Sequence, residues 1–134
     1  MALGKIDHLD FTIGDLENAE EYFTKKLGFK FLRRIEHQDK SVSSELSSPA
    51  GDFILQLHQG SKEELKKRRE RAPEWSLYFN HIAFKVDDIN KEFEELKSKG
   101  VSFNRTAPTF NEATGRMLAN AFDQEGHSWI QLTD

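Results

Sequence analysis

Two histidines in the 134-residue chain occupy matching positions in two similar segments. His8 begins HLDFTI and His81 begins HIAFKV, an offset of 81 − 8 = 73 residues. Neutral imidazole nitrogens are good ligands for Zn, Ni, Co and Fe. A single histidine on a strand more often makes a local hydrogen bond, but its recurrence at equivalent positions favours a shared functional role.

The similarity extends well beyond the two histidines. Asp15 and Asp88 have the same offset, 88 − 15 = 73, and Gly28 and Gly100 differ by 100 − 28 = 72. A constant offset with one single-residue deletion indicates a duplicated unit.

Each copy begins with alternating apolar and polar residues, which predicts a strand. Asp15 and Asp88 follow at helix N-cap positions, and apolar residues then recur at helical spacing. We therefore predict helices over 16–27 and 89–99. The further strands predicted are 29–36, 41–48 and 53–59 in the first copy, and 101–105, 115–122 and 128–133 in the second.

These elements predict an α+β fold of two tandem βαβββ modules, 4–59 and 77–133. A charged linker, 60–76, joins the modules and is expected to be helical up to Pro73. The length suits one compact domain, so 1–134 is interpreted as a single domain.

Composition narrows the classes of partner. With no cysteine, disulfides and thiolate metal sites are excluded, and the chain fits a reducing cytoplasm. The net charge of −4 argues against nucleic acid as the main partner. We see no signal peptide and no apolar stretch of the roughly 20 residues that a membrane span needs, so no membrane association is expected.

Strand alternation places several polar side chains on the faces opposite the apolar ones. Buried polar groups cost roughly 1–3 kcal/mol each unless they are paired, so a polar face suggests a ligand, a metal ion or ordered water. Arg116, at the start of a strand, is a candidate for holding an anionic group. The other polar-face candidates are His8, Asp10, Gln56, His58, His81, Trp129 and Gln131.

The duplication, the first-strand histidines and the closing DQEGHSWIQL resemble the vicinal oxygen chelate superfamily. That superfamily includes glyoxalase I, extradiol dioxygenases, fosfomycin-resistance enzymes, methylmalonyl-CoA epimerase and bleomycin-binding proteins. The resemblance covers nearly the whole chain. It implies that each module forms a cup-shaped half-barrel and that two half-barrels line one binding cavity, either within a chain or across a dimer.

The resemblance also implies a metal site on the first and last strands of each module. The corresponding residues are His8, Gln56, His81 and Gln131. Enzymes of the superfamily commonly have glutamate at the last-strand positions, and glutamine brings neither negative charge nor a general base. Asp10, Glu45 and Glu125 are possible substitute carboxylates, and His58 is a spare candidate ligand.

Two functions follow as alternatives. One is a metal-dependent lyase or isomerase, or a dioxygenase-like enzyme, acting on a small oxygenated substrate with Zn, Ni, Co or Fe. The other is a metal-free, drug-sequestering protein that binds an aromatic or cationic compound. The first function requires a divalent metal and the second requires no cofactor, and the sequence favours neither over the other. Small members of this fold often dimerise, so a homodimer is expected.

Overall fold

The computed structural model describes residues 6–70 and 81–134. The chain divides into two compact units, Met1–Ala72 (unit 1) and Pro73–Asp134 (unit 2). Each unit has its own four-stranded sheet, and each is described by itself below.

Unit 1 follows the predicted βαβββ order. Asp15 caps the helix, because its carboxylate accepts a hydrogen bond from the backbone N–H of Asn18 at 3.0 Å. The first helix continues as a π-helical turn over Tyr22–Lys26, and a further helix follows the sheet. The elements are β1 (His8–Ile13), α1 (Leu16–Glu21), β2 (Lys30–Glu36), β3 (Val42–Ser47), β4 (Ile54–Gln59) and α2 (Lys62–Glu70).

Unit 2 repeats this order. Asp88 caps its helix by accepting from the backbone N–H of Lys91 at 3.1 Å. The elements are β5 (Ile82–Lys85), α3 (Ile89–Ser98), β6 (Thr109–Asn111), β7 (Arg116–Ala121) and β8 (Ile130–Thr133).

The two sheets have the same topology. The strand order is β1-β4-β3-β2 in unit 1 and β5-β8-β7-β6 in unit 2. In each sheet the first and last strands of the module pair in parallel, and the remaining pairs are antiparallel. The predicted α+β fold of tandem βαβββ modules is therefore confirmed.

Each sheet packs an apolar face beneath its helix. In unit 1, Leu55 and Leu57 of β4 are fully buried together with Ala19 and Phe23 of the helix. In unit 2 most of the buried apolar side chains come from α3, β7 and β8. They are Ile89, Phe93, Leu96, Ala119, Ala121, Ile130 and Leu132. Because β-strand side chains alternate, the opposite face of each sheet is left to polar residues.

One predicted strand is wrong. Residues 101–105 form only an isolated bridge, Phe103 to Ala121, and the strand at this sheet edge is β6, Thr109–Asn111. The backbone N–H of Asn104 donates to the carbonyl of Asn120, and the chain then bends before pairing again. Alternation in a short segment did not distinguish a single bridge from a continuous ladder.

The helix of the charged linker is described over Lys62–Glu70, and the predicted extension to Pro73 falls on residues that the structure does not describe. The linker residues from 71 onward lie outside the described residues, as do residues 1–5. Among the described residues, no helix is long and apolar enough to cross a membrane.

Candidate functional site

A row of four polar side chains crosses the sheet of unit 1. Gln56 of β4 pairs in register with Asp10 of β1 on one side and with Glu45 of β3 on the other, and Glu45 pairs with Arg33 of β2. Side chains of directly paired residues project from the same face, with Cβ atoms roughly 4.5–5.5 Å apart. Gln56 is therefore flanked by two carboxylates on the face opposite the helix.

Arg33 and Glu45 form an ion pair at one end of this row. The Nε atom of Arg33 lies 2.5 Å from Oε1 of Glu45. The Glu45 side chain is only 12% exposed, whereas that of Arg33 is 68% exposed. The arginine thus holds the glutamate in place from the sheet edge, and at the other end of the row Asp10 is exposed.

His8 lies next to this row, two residues before Asp10 on β1. Its Nδ1 donates to the Oδ2 atom of Asp7 at 2.8 Å. That hydrogen bond, with the negative charges of Asp7, Asp10 and Glu45, raises the pKa of the His8 imidazole. The contact also fixes the tautomer, because an Nδ1 that carries the proton leaves the lone pair on Nε2.

A second polar row lies about 7 Å further along the same strands. Thr12 pairs with His58, and His58 pairs with Ser43. The Ser43 hydroxyl, 1% exposed, lies between two imidazoles, 3.2 Å from Nδ1 of His58 and 2.9 Å from Nε2 of His37. The two rows together with His8 are called the polar face of unit 1.

The corresponding row of unit 2 is neutral. Gln131 of β8 pairs with Ala83 of β5 and with Asn120 of β7. Its amide Nε2 donates to Oδ1 of Asn120 at 2.9 Å, and the residue is only 8% exposed. Gln131 is therefore a buried residue in a side-chain hydrogen bond, without a carboxylate beside it in the row.

Other residues on this face, called the polar face of unit 2, include Lys85, Thr133 and Arg116. Thr133 pairs with Lys85, and Arg116 pairs with Asn111 at the outer edge. The Thr133 hydroxyl is buried and has no hydrogen-bond partner in the described part of the chain. His81 immediately precedes β5 and is exposed.

Trp129 has a structural partner that the sequence did not indicate. Its indole Nε1 donates to Oδ2 of Asp123 at 2.7 Å. The Oδ1 atom of the same aspartate accepts from the backbone N–H groups of Glu125 and His127. Asp123 thus organises the DQEG turn, and the ligand-binding role suggested for Trp129 stays a prediction.

The two last-strand glutamines supply no anionic ligand for a divalent cation. Gln56 and Gln131 offer neutral amides, and the amide nitrogen of Gln131 is engaged with Asn120. Within residues 6–70 and 81–134, no group of three or more histidine or acidic side chains has the arrangement of a metal site. Divalent ions in proteins usually gain much of their affinity from anionic ligands, which the Gln positions do not supply.

The structure brings together only some of the predicted site residues. His8, Asp10, Gln56 and His58 share the polar face of unit 1, and Gln131 and Arg116 share that of unit 2. The shared cavity between modules stays a prediction. Sequence reasoning missed the residues recruited by strand register. They are Ser43 in unit 1 and Asn120 in unit 2, and His37 reaches Ser43 from just beyond β2.

Comparison with known proteins decides the family. The profile of the Glyoxalase/Bleomycin resistance protein/Dioxygenase superfamily matches residues 5–130. The chain belongs to this superfamily. The resemblance inferred from the duplicated histidines and the closing DQEGHSWIQL is thereby confirmed.

Relatives in this superfamily differ in activity. The chain is 25% identical to glyoxalase I of Saccharomyces cerevisiae over 95% of its own length, but it spans only 44% of that enzyme. It is 24% identical to the uncharacterized protein YwkD of Bacillus subtilis, with 93% of both chains covered. A third relative, 4-hydroxyphenylpyruvate dioxygenase of Legionella pneumophila, is 28% identical over 82% of the chain, which spans 33% of that enzyme.

Solved structures show the same fold. A glyoxalase family protein from Enterococcus faecalis has a TM-score of 0.77 at 20% identity, with both chains fully covered. TnmS3, an antibiotic binding protein from Streptomyces sp. CB03234, has a TM-score of 0.70 at 18% identity and covers 98% of this chain and 96% of its own. A glyoxalase family protein and an antibiotic binding protein thus share this fold.

Proposed function

We propose that this protein binds a small organic cation on the polar face of unit 1, without a tightly held metal ion. One observation carries the proposal. At the position where enzymes of the superfamily commonly have a glutamate, Gln56 stands between two carboxylates, those of Asp10 and Glu45.

The charge distribution of that row supports a cationic ligand. Asp10 and Glu45 carry two negative charges, and Arg33 compensates Glu45 from the sheet edge. Asp10 has no such arginine in its row and is exposed. An ammonium group bound beside Asp10 and Gln56 would gain a charge-assisted hydrogen bond and an amide acceptor.

Binding of an organic compound is one known use of the fold. The structural neighbour TnmS3 is an antibiotic binding protein, so the architecture can hold an organic compound. Binding of this kind needs no general base at the metal position, so the glutamines are compatible with it. Aromatic amines are the first class of compound to test.

The test is a thermal-shift screen of aromatic and aliphatic amines, run in parallel with EDTA and with added Zn²⁺. A ligand at 100 times its Kd adds roughly 2.7 kcal/mol of stability to the folded protein. We expect stabilisation by an aromatic amine that persists in EDTA. Stabilisation that requires Zn²⁺, or none across the library, contradicts the proposal. Asp10→Asn is the matched variant, because it removes the charge and keeps the shape.

A second candidate is the metal-dependent lyase or isomerase, and one observation favours it. The carboxylate of Asp7 orients His8 so that Nε2 carries the lone pair. A carboxylate bound to the remote nitrogen of an imidazole is a frequent feature of metal-ligating histidines. His8 and Gln56 would then be ligands from unit 1, and His81 and Gln131 from unit 2.

Metal analysis separates the two candidates. The second predicts stoichiometric Zn, Ni, Co or Fe in protein purified without chelator, and loss of that metal in both His8→Ala and His81→Ala. The first predicts substoichiometric metal that does not change in either variant. Elemental analysis by mass spectrometry gives the answer without knowledge of a substrate.

We further propose that the protein is a homodimer. β2 is an edge strand of the unit 1 sheet, and its Phe31 and Leu32 are 51% and 48% exposed. Exposed apolar residues on an open strand edge favour pairing with another chain. Light scattering is expected to give twice the chain mass, and a monomer mass at high concentration contradicts the proposal.

A further inference from the structure

Helix α2 leaves the sheet from a firmly anchored position. The side chain of Gln59, the last residue of β4, accepts from the backbone N–H of Leu16 and donates to the carbonyl of Gly14, both at 2.7 Å. The backbone N–H of Gly60 donates to the carbonyl of Ile13 at 3.0 Å. The start of α2 is therefore tied to the ends of β1 and β4.

Glu64, in the first turn of α2, turns its side chain towards the sheet. Ser61 caps the helix by accepting from the backbone N–H of Glu64 at 3.0 Å. In a capping box the glutamate would reach back to the cap. Here its carboxylate instead accepts from the Thr12 hydroxyl at 3.4 Å and lies 3.8 Å from Nε2 of His58.

Thr12 and His58 belong to the polar face of unit 1. They are two residues beyond Asp10 and Gln56 on the same strands, which is about 7 Å along the sheet. Contacts to these two side chains place Glu64 on the polar side of the sheet, opposite the core. The first turn of α2 therefore borders the row proposed to bind the ligand.

The remaining attachment of α2 is slight. No described side chain of the helix is fully buried, and its Lys and Arg residues are exposed. Leu65, beside Gly60, is only partly buried. Ion pairs between partly exposed groups contribute about 0–1 kcal/mol. Segments with few buried contacts open at low free-energy cost.

We propose that α2 is a lid at the Thr12–His58 end of the polar face of unit 1, and that Glu64 is its latch. The inference rests on the proposed function in one respect, because it takes this face as the ligand surface. The lid opens by releasing the Glu64 contacts while the anchor at Gln59 and Gly60 stays in place.

Glu64→Gln tests the latch, with Glu63→Gln as the matched control. Both substitutions remove a negative charge from the first turn of α2. Both also remove an i,i+4 ion pair, Glu64 with Arg68 and Glu63 with Lys67. Of the two glutamates, only Glu64 contacts the sheet in the described structure.

Two measurements on the folded, ligand-free protein report lid opening. Hydrogen–deuterium exchange follows the backbone amides of α2, and diethyl pyrocarbonate labelling follows access to His58. We expect Glu64→Gln to exchange and to label several-fold faster than Glu63→Gln. Equal rates in the two variants overturn the lid, whatever the outcome of the amine screen.

Gly60→Ala provides a second variant that leaves the charges unchanged. A Cβ at Gly60 would lie 2.7 Å from Cδ2 of Leu65 and 2.9 Å from Cγ2 of Thr12. The methyl group would press on the side chains of Leu65 and Thr12 at the start of the helix, and faster labelling of His58 is expected here too. Labelling at the wild-type rate, with exchange elsewhere in unit 1 unchanged, contradicts the proposal.

Discussion

The two units share one topology and differ most in what their polar faces carry. The row through Gln56 is charged, with Asp10 and Glu45 as neighbours. The row through Gln131 is neutral, with Ala83 and Asn120 in the corresponding places. The duplicated fold therefore depends on the apolar faces, and the polar faces were free to diverge. Carboxylates therefore mark the polar face of unit 1, whereas the charged residues on that of unit 2 are Lys85 and Arg116.

A second difference lies beneath the sheets. In unit 1, Glu20 of the helix accepts two hydrogen bonds from Arg34, each at 2.9 Å, and one from Ser44. In unit 2 the position that corresponds to Glu20 is Phe93, since 93 − 20 = 73, and its ring lies 4.3 Å from that of Phe103. A polar network and an aromatic pair thus support equivalent helices.

The largest effect is expected from the core positions of both units. Phe23 is 0% exposed and Phe93 is 2% exposed, so Phe23→Ala and Phe93→Ala each remove a buried ring. Each should lower the free energy of unfolding by about 3–5 kcal/mol. Urea unfolding measures the change, and Phe110→Ala is the exposed control. A small effect in one unit alone would show that the two cores are not equivalent.

Exchanging the charge between the polar faces gives the next largest effect. Asp10→Ala should weaken binding of the aromatic amine found in the screen by roughly 10- to 100-fold, since a hydrogen bond to a charged group contributes about 1.5–3 kcal/mol. Ala83→Asp should not strengthen binding. Calorimetry in EDTA measures both variants. If Asp10→Ala binds the amine as tightly as the wild-type protein does, the carboxylate on the polar face of unit 1 does not determine binding.

The polar network beneath the unit 1 sheet predicts a pH effect. The hydrogen bonds from Arg34 lower the pKa of Glu20, with a further contribution from Ser44. Because the pKa of Glu20 is lower in the folded state than in the unfolded state, ionised Glu20 stabilises the fold. This stabilisation is fully present above the unfolded pKa of about 4.3 and is lost as pH falls through the folded pKa.

Arg34→Met should therefore cost about 1 kcal/mol at pH 7, because the pair is partly exposed. It should cost less once Glu20 is protonated. Urea unfolding at pH 7 and pH 3 checks the difference. An equal loss at both values would assign the effect to packing of the Arg34 side chain.

The smallest effect concerns His8. Its pKa is raised chiefly by the hydrogen bond to Asp7. A raised pKa in the folded state means that protonation of His8 stabilises the fold. This stabilisation is fully present below the unfolded pKa of about 6.5 and is lost as pH rises through the folded pKa. Asp7→Asn should lower the pKa of His8 measured by NMR and change the stability little. An unchanged pKa would remove the argument that Asp7 fixes the tautomer.

The sequence predicted the fold more fully than the site. Capping aspartates and apolar spacing indicate α1 and α3 because they are local signals. The alternation of apolar and polar residues is also a local signal, and it correctly predicted that Gln56 and His58 share one face of β4. The neighbours of Gln56 depend on strand register, a long-range property, so the flanking of Gln56 by Asp10 and Glu45 was not predicted.

The short ladder of β6 was missed for a related reason. Residues 101–105 alternate as a strand does, but only Phe103 forms a bridge. The contact of Glu64 with Thr12 joins residues 52 positions apart, and no local pattern indicates it. Hydrogen bonds of this kind follow from packing that a single sequence does not show.

NMR mapping of a bound amine tests the central claim most directly. Uniformly ¹⁵N-labelled protein is titrated in EDTA with an aromatic amine from the screen, and backbone shifts are followed in both units. The account predicts saturable shifts centred on Asp10, Glu45 and Gln56, and their loss in Asp10→Asn. Shifts centred on Gln131 and Asn120, or shifts that appear only after Zn²⁺ is added, would contradict it.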